Sequence, residues 1–244
     1  MLYGVFHAAS PEFYRKRAIL LLYPVGQEYM RIHRAYRRLA DSLSDSGFDV
    51  LRFDYACTGD SYGDFEQASL DQWTNSAVLA YDELHEMLPE SKIDVIALRL
   101  GTIVARNLAG IRKIQRLVLW EPSYSDVYYW QQLEDAIKLN GTTRANFKDE
   151  EFLHINGFAF NNSIRESLQS GSWDDLSVDV IDKILIVSTQ QGTMFKEFEK
   201  CFNETGNLDI DIVAGPDDWI EVDPFGGIIL PEPSMIAISN WLSS

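Results

Sequence analysis

Cysteine, histidine and positive charge are all scarce in this chain, and each shortage removes a class of function. Cys57 and Cys201 are the only thiols and stand far apart, outside any paired ligand spacing. Neither a disulfide framework nor a zinc site is therefore expected, and nothing indicates another metal or a cofactor. No apolar run approaches the roughly twenty residues of a membrane-spanning helix. Met1-Leu2-Tyr3-Gly4 also lacks the basic start and long apolar stretch of a secretory signal, so a cytoplasmic protein without a membrane partner is expected. Lysine and arginine total 21 against 37 aspartates and glutamates, a formal net charge of −16. A polyanion would be repelled at long range, which argues against nucleic acid as a partner. The positive charge is uneven, however. Arg15, Lys16 and Arg17 precede a strand, and Arg31, Arg34, Arg37 and Arg38 share one predicted helix; they read as a solvated face or as a means of recruiting anions.

What the chain does have is 244 residues at 46% apolar composition, enough for one sizeable core, and residues 1–244 read as a single domain. Short apolar runs predict strands over 4–8, 18–23, 50–53, 93–97, 117–120, 184–188 and 208–213. Most are apolar on both faces, the pattern of parallel strands covered by helices on either side. Helical stretches fall between them at 31–46, 70–88, 102–109, 194–203 and 234–242. The expected class is α/β, with a mostly parallel central sheet. Residues 124–179 break the alternation with polar turns, helical pieces and no evident strand, and read as a cap-like insertion over the carboxyl edge of the sheet. Its aromatics, among them Tyr124, Tyr128, Tyr129, Trp130, Phe147, Phe152, Phe158, Phe160 and Trp173, suit either a ligand cavity or a seal between cap and domain.

The segment with most chemical content is Ile93-Asp94-Val95-Ile96-Ala97-Leu98-Arg99-Leu100-Gly101-Thr102. A strand runs into a sharp turn closed by glycine and opens a helix, the context of the nucleophile elbow whose signature is G-x-S-x-G. Here the frame is Ala97-x-Arg99-x-Gly101. A guanidinium neither attacks a carbonyl nor loses its proton at usable pH.

Several motifs together resemble the α/β-hydrolase superfamily, and more narrowly its serine-aminopeptidase-like and exosortase-associated branch. Leu22-Tyr23-Pro24-Val25-Gly26-Gln27-Glu28 is similar to the strand and loop that carry an oxyanion-hole amide. The stretch HRAYRRLADSLSDSGFDVLRFD from His33 is similar to the branch's first helix and next strand. Tyr55-Ala56-Cys57-Thr58-Gly59-Asp60-Ser61 lies close to D-Y-R-G-x-G-D-S, and Leu117-Val118-Leu119-Trp120-Glu121-Pro122 continues the match. The resemblance implies an α/β-hydrolase fold with an acid after strand 184–188 and a histidine after strand 208–213. Ser188-Thr189-Gln190-Gln191-Gly192 contains no carboxylate, and Val213-Ala214-Gly215-Pro216-Asp217-Asp218-Trp219 contains no histidine. All three triad positions are vacant, so the resemblance alone does not carry hydrolysis over.

A cation at a helix N-terminus is disfavoured unless an anion comes to it. Glu28, Asp54 and Glu121 are the internal candidates, and a bound carboxylate or phosphate is the external one. Arg99 and Glu28 are thus the expected functional pair, and His33, on the adjacent helix, is a possible general base. Gly26, Gln27, Asp54, Leu100 and Glu121 are expected around a ligand. Cys57 and Ser61 remain as nucleophile candidates without a base at fixed spacing. Three functional readings follow. One is a purely structural partner whose cleft is closed. Another is a divergent fold member lacking Ser-His-Asp chemistry that binds a small anionic or acyl-type ligand in a capped pocket, as an accessory protein of a biosynthetic pathway that also meets a protein partner. The third is a non-triad hydrolase, lyase or transferase acting on esters or thioesters through Arg99 and the oxyanion-loop amides.

Overall fold

The computed structural model describes residues 1–140, 147–148, 150–169, 171–176, 180–190, 194–202, 206–215 and 230–244. The main body runs β1 (Gly4–His7), β2 (Arg17–Leu22), α1 (Gln27–Asp45), β3 (Asp49–Phe53), α2 (Leu70–Met87), β4 (Lys92–Leu98), α3 (Leu100–Ala109) and β5 (Ile114–Trp120). The cap follows, with α4 (Asp126–Asn140), β6 (Phe147–Lys148), β7 (Phe152–Ile155), β8 (Phe158–Asn161) and α5 (Asn162–Ser167). The chain returns to the body through β9 (Ile181–Ser188), α6 (Met194–Phe202), β10 (Leu208–Ile212) and α7 (Glu232–Ser243).

The seven strands of the body pair in the order β1-β3-β2-β4-β5-β9-β10. Only β1 runs antiparallel to its neighbour. The apolar runs on both faces of β2 and β4 are explained by this order: the two strands pair with each other at the middle of the sheet and are almost wholly buried. Helices cover both faces, α2 packing on α3 and α1 on α7. The strands and helices expected for the body are all present. Their ends move by a few residues, and two of these shifts matter. Helix α1 starts at Gln27 rather than at 31, with Gly26 at its N-cap, and α3 starts at Leu100 rather than at 102. The first places Glu28 in an opening helical turn, and the second makes Arg99 the N-cap of α3.

Where the sequence predicts no strand, the cap holds a three-stranded antiparallel sheet in the order β6-β7-β8. Strands of two to four residues are too short to show an alternation. Asn156 and Gly157, both at positive φ (51° and 88°), make the tight turn between β7 and β8, and an Asn-Gly pair between apolar residues is a hairpin signal with a mechanism. The cap aromatics act mainly as a seal. Phe158 and Phe160 meet Phe65 edge-on at 5.3 and 5.1 Å, and Trp173 packs on Phe198 at 5.9 Å.

Candidate functional site

Arg99 sits between β4 and α3 at φ 54° and ψ −120°, a conformation that a residue with a Cβ holds only when its surroundings over-determine it. Three hydrogen bonds do so. The Arg99 amide donates to the Trp120 carbonyl at 3.0 Å. The Thr102 amide and hydroxyl both donate to the Arg99 carbonyl, at 2.9 and 2.6 Å. Gly101 completes the turn because a Cβ there would lie 2.5 Å from the Leu22 carbonyl oxygen and 2.8 Å from that of Tyr23. Such contacts with backbone cannot be relieved by a rotamer change, so α3 starts against the end of β2 only with glycine at this position.

The turn delivers the guanidinium to Glu28. Arg99 Nε donates to Glu28 Oε1 at 2.9 Å, and Tyr129 donates its hydroxyl to Glu28 Oε2 at 3.2 Å. Arg99 Nη2 donates to Gln132 Oε1 at 2.9 Å, while the Tyr129 ring lies 5.4 Å from the guanidinium carbon. Glu28 is 3% exposed and Arg99 7%, so the ion pair is held away from water by α1, the elbow and cap helix α4. Burial opposes the Arg99 charge and is the largest single influence on it. Glu28, Tyr129 and Glu121 together outweigh that burial and raise its pKa further. Burial, then Glu28, pushes the Tyr129 phenol well above its ordinary value, so it stays a hydrogen-bond donor. Arg99 Nη1 donates to no residue among those described.

The other two carboxylates at this edge are committed elsewhere. Asp54 accepts the Tyr29 hydroxyl and the Asp60 amide, each at 2.9 Å, and so fixes the loop after β3. Glu121, at φ 46°, accepts the Ser188 hydroxyl at 2.8 Å and the Thr189 amide at 2.7 Å, tying the end of β5 to the exit of β9. Of the three anions proposed for Arg99, Glu28 is the one that contacts it. Gly26 turns the chain at φ 62° just before Gln27 and Glu28, and a Cβ there would come within 3.1 Å of the Phe160 ring. Leu100 is fully buried as the first residue of α3.

His33 faces a different environment. Its ring stacks on Tyr23 at 6.0 Å and meets Tyr29 at 5.4 Å, and its buried Nδ1 has no hydrogen-bond partner among the described residues. Cys57 and Ser61 serve the loop: burial pushes the Cys57 thiol up, against thiolate chemistry. The Ser61 hydroxyl donates to the Asp54 carbonyl at 2.7 Å and accepts the Tyr3 amide at 2.8 Å. No group of residues able to hold a metal ion occurs among the described residues. Likewise, no helix among them is long and apolar enough to cross a membrane. Sequence reasoning missed Tyr129 and Gln132. Tyr129 had a weak signal as one of the cap aromatics, and Gln132 had none.

His33 and His7 share a pH consequence. Burial, and next the Arg52 charge, lowers both imidazole pKa values below the ordinary 6.5. His7 Nε2 accepts Arg52 Nε at 2.9 Å while its Nδ1 faces Asp41 at 2.9 Å, a geometry that requires the neutral ring. Unfolded histidines take up protons below about pH 6.5 that the folded rings refuse, so these two groups favour the fold fully above that pH and less as pH falls through their folded values. Urea midpoints should fall between pH 7.5 and 5.5, and the His7→Gln/His33→Gln variant should lose part of that dependence. An unchanged difference would exclude these rings as its source.

A second buried ion pair fastens α4 to the body. Arg106 of α3 donates from Nη1 and Nη2 to the two carboxylate oxygens of Asp126 at 2.6 and 2.8 Å. Both residues are buried. Asp126 starts α4, so the same helix that brings Tyr129 and Gln132 to Arg99 is anchored at its first residue.

No protein-family model matches the chain, and no curated protein matches it in sequence. Solved structures do. The chain is similar to the monoacylglycerol lipase of Paleococcus ferrophilus, with 18% identity and a TM-score of 0.63 over 100% of this chain and 98% of that one. It is also similar to the proline iminopeptidase of Mycobacterium smegmatis, with 13% identity and a TM-score of 0.62 over 99% and 94%. A third is Est1E of Butyrivibrio proteoclasticus bound to ferulic acid, with 15% identity and a TM-score of 0.62 over 99% and 92%. At such identities the likeness is one of architecture: the chain has the α/β-hydrolase fold.

Proposed function

We propose that this α/β-hydrolase-fold protein binds a small anionic or acyl-type ligand at Arg99 and does not hydrolyse esters through a covalent serine intermediate. The observation that carries the reading is the division of labour on one guanidinium. Nε is taken by Glu28 and Nη2 by Gln132, while Nη1 donates to no described residue. A guanidinium at the start of α3, fixed by two side-chain bonds and with one nitrogen left over, suits a carboxylate or a polarised acyl oxygen. The absence of a hydroxyl or thiol at the elbow, and of a histidine in the sequence after β10, speaks against the acyl-enzyme route.

A fluorophosphonate probe should leave the native protein unlabelled, and p-nitrophenyl esters should not turn over above the rate of Arg99→Gln. Calorimetric titration with a series from acetate to octanoate should show saturable binding that falls about tenfold or more in Arg99→Gln, as expected for loss of a charge-assisted contact. Serine labelling, Arg99-dependent ester turnover, or no binding across the series would each overturn the proposal.

A further inference from the structure

The basic residues Arg15, Lys16 and Arg17, at the start of β2, have no part in the elbow, because they lie at the opposite, amino edge of the sheet. There Asp94, fully buried on β4, serves two arginines at once. Arg17 grips both its carboxylate oxygens, and Arg116 Nε and Nη2 donate to Oδ2 at 3.1 and 2.9 Å. One carboxylate thus faces two guanidinium groups, and one positive charge is left over in a poorly solvated place. Arg116 is otherwise saturated: its Nη1 donates to the Leu242 carbonyl at 2.8 Å, and Trp241 lies 5.8 Å from its guanidinium carbon. Arg17 Nη1 has no partner among the described residues.

Beside this cluster is a cleft of about 250 Å³, lined by Arg17, Gln115, Arg116, Asp182, Lys183, Trp241 and Ser244. Asp182 is engaged by Lys113 at 3.3 Å, and the Trp241 indole nitrogen by Asp209 at 2.7 Å. Lys183 is exposed and makes no ion pair with a described residue. The cleft therefore presents two cations with spare donors, an amide side chain and an indole, on a protein whose net charge is −16. We infer that this amino-edge cleft is a second ligand site, which takes a small phosphate-bearing molecule by bonding its oxygens to Arg17 and Lys183 and laying an apolar or flat portion on Trp241. A phosphate dianion matches the surplus charge and the several separate donors better than a single carboxylate does.

The test uses the native chain at low ionic strength, titrated calorimetrically with inorganic phosphate, phenyl phosphate and benzoate, with chloride as the control anion. Phosphate and phenyl phosphate should bind and phenyl phosphate more tightly, while benzoate binds weakly. Lys183→Glu should weaken both phosphates about tenfold or more, whereas Lys196→Glu, an exposed charge reversal on α6, should not. Arg17 is left unmutated because its loss would disturb Asp94. Absence of phosphate binding, equal effects of Lys183→Glu and Lys196→Glu, or benzoate binding as tightly as phenyl phosphate would overturn the inference. Arg99 lies at the other end of β4, so carboxylate binding there should persist in Lys183→Glu.

Discussion

Glu28→Ala should lower the unfolding free energy by about 3–5 kcal/mol, because it leaves the Arg99 guanidinium buried without its counter-ion. With Arg99 at 7% exposure and Glu28 at 3%, relaxation into water would require the cap helix to move. Arg99→Met leaves the opposite defect, a buried carboxylate with the Tyr129 hydroxyl as its remaining side-chain donor. The double variant Glu28→Leu/Arg99→Met removes both charges and should recover most of the loss, since a buried pair replaced by apolar side chains of similar size is often neutral or stabilising. Urea denaturation of the four proteins closes a double-mutant cycle, and the coupling between the two sites should exceed about 1 kcal/mol. For a chain of this length the Glu28→Ala loss corresponds to a fall in Tm on the order of 10 °C. A loss below about 1 kcal/mol would place the pair among solvent-screened surface bridges. The cycle also separates two reasons for having such a pair. A stable double variant with no carboxylate binding would assign the charges to recognition and not to holding the fold.

The elbow was legible because its signals are local. A strand, a turn and a glycine within ten residues specify the backbone, and the identity of residue 99 specifies the charge. Glu28 was legible as a candidate because the glycine-turned loop before α1 is also a local pattern. What could not be read was which carboxylate wins. Asp54 and Glu121 stand at neighbouring strand ends, but Asp54 is claimed by a backbone amide six residues along the chain, and Glu121 by the exit of β9. Glu121 also shows how a vacancy in the sequence need not be one in space. Ser188-Thr189-Gln190 holds no carboxylate, yet the carboxylate of Glu121, just past the end of β5, is bonded to Ser188 and Thr189. Tyr129 and Gln132 were hidden for a related reason: they reach Arg99 only because α4 folds back over the sheet edge, and nothing in their spacing refers to residue 99. The small cap sheet was the opposite case, since Asn156-Gly157 carried a hairpin signal that strands of four residues did not reinforce.

Arg106→Ala should cost about as much as Glu28→Ala, roughly 3–5 kcal/mol, although it lies away from the elbow. Its two bonds to Asp126 are short and parallel, the arrangement in which a guanidinium is strongest and lysine is a poor substitute. Arg106→Lys should therefore restore only part of the loss. Space around the pair is as limited as around Arg99: a Cβ at Gly171 would come within 2.0 Å of Asp126 Oδ2, so Gly171→Ala should weaken the same contact without removing a charge. Because Asp126 opens α4, the damage should reach the candidate site through the helix. Hydrogen exchange should rise along α4 in Arg106→Ala more than along α2, and carboxylate affinity at Arg99 should fall with it, although Arg106 touches neither Glu28 nor Gln132. If α4 exchange is unchanged and stability falls by less than about 1 kcal/mol, the Arg106–Asp126 pair does not hold the cap, and the packing of Tyr129, Trp130 and Phe160 must do so alone. If both change together, the geometry at Arg99 depends on a latch about two turns of α3 away, and ligand access would be set by how readily α4 lifts.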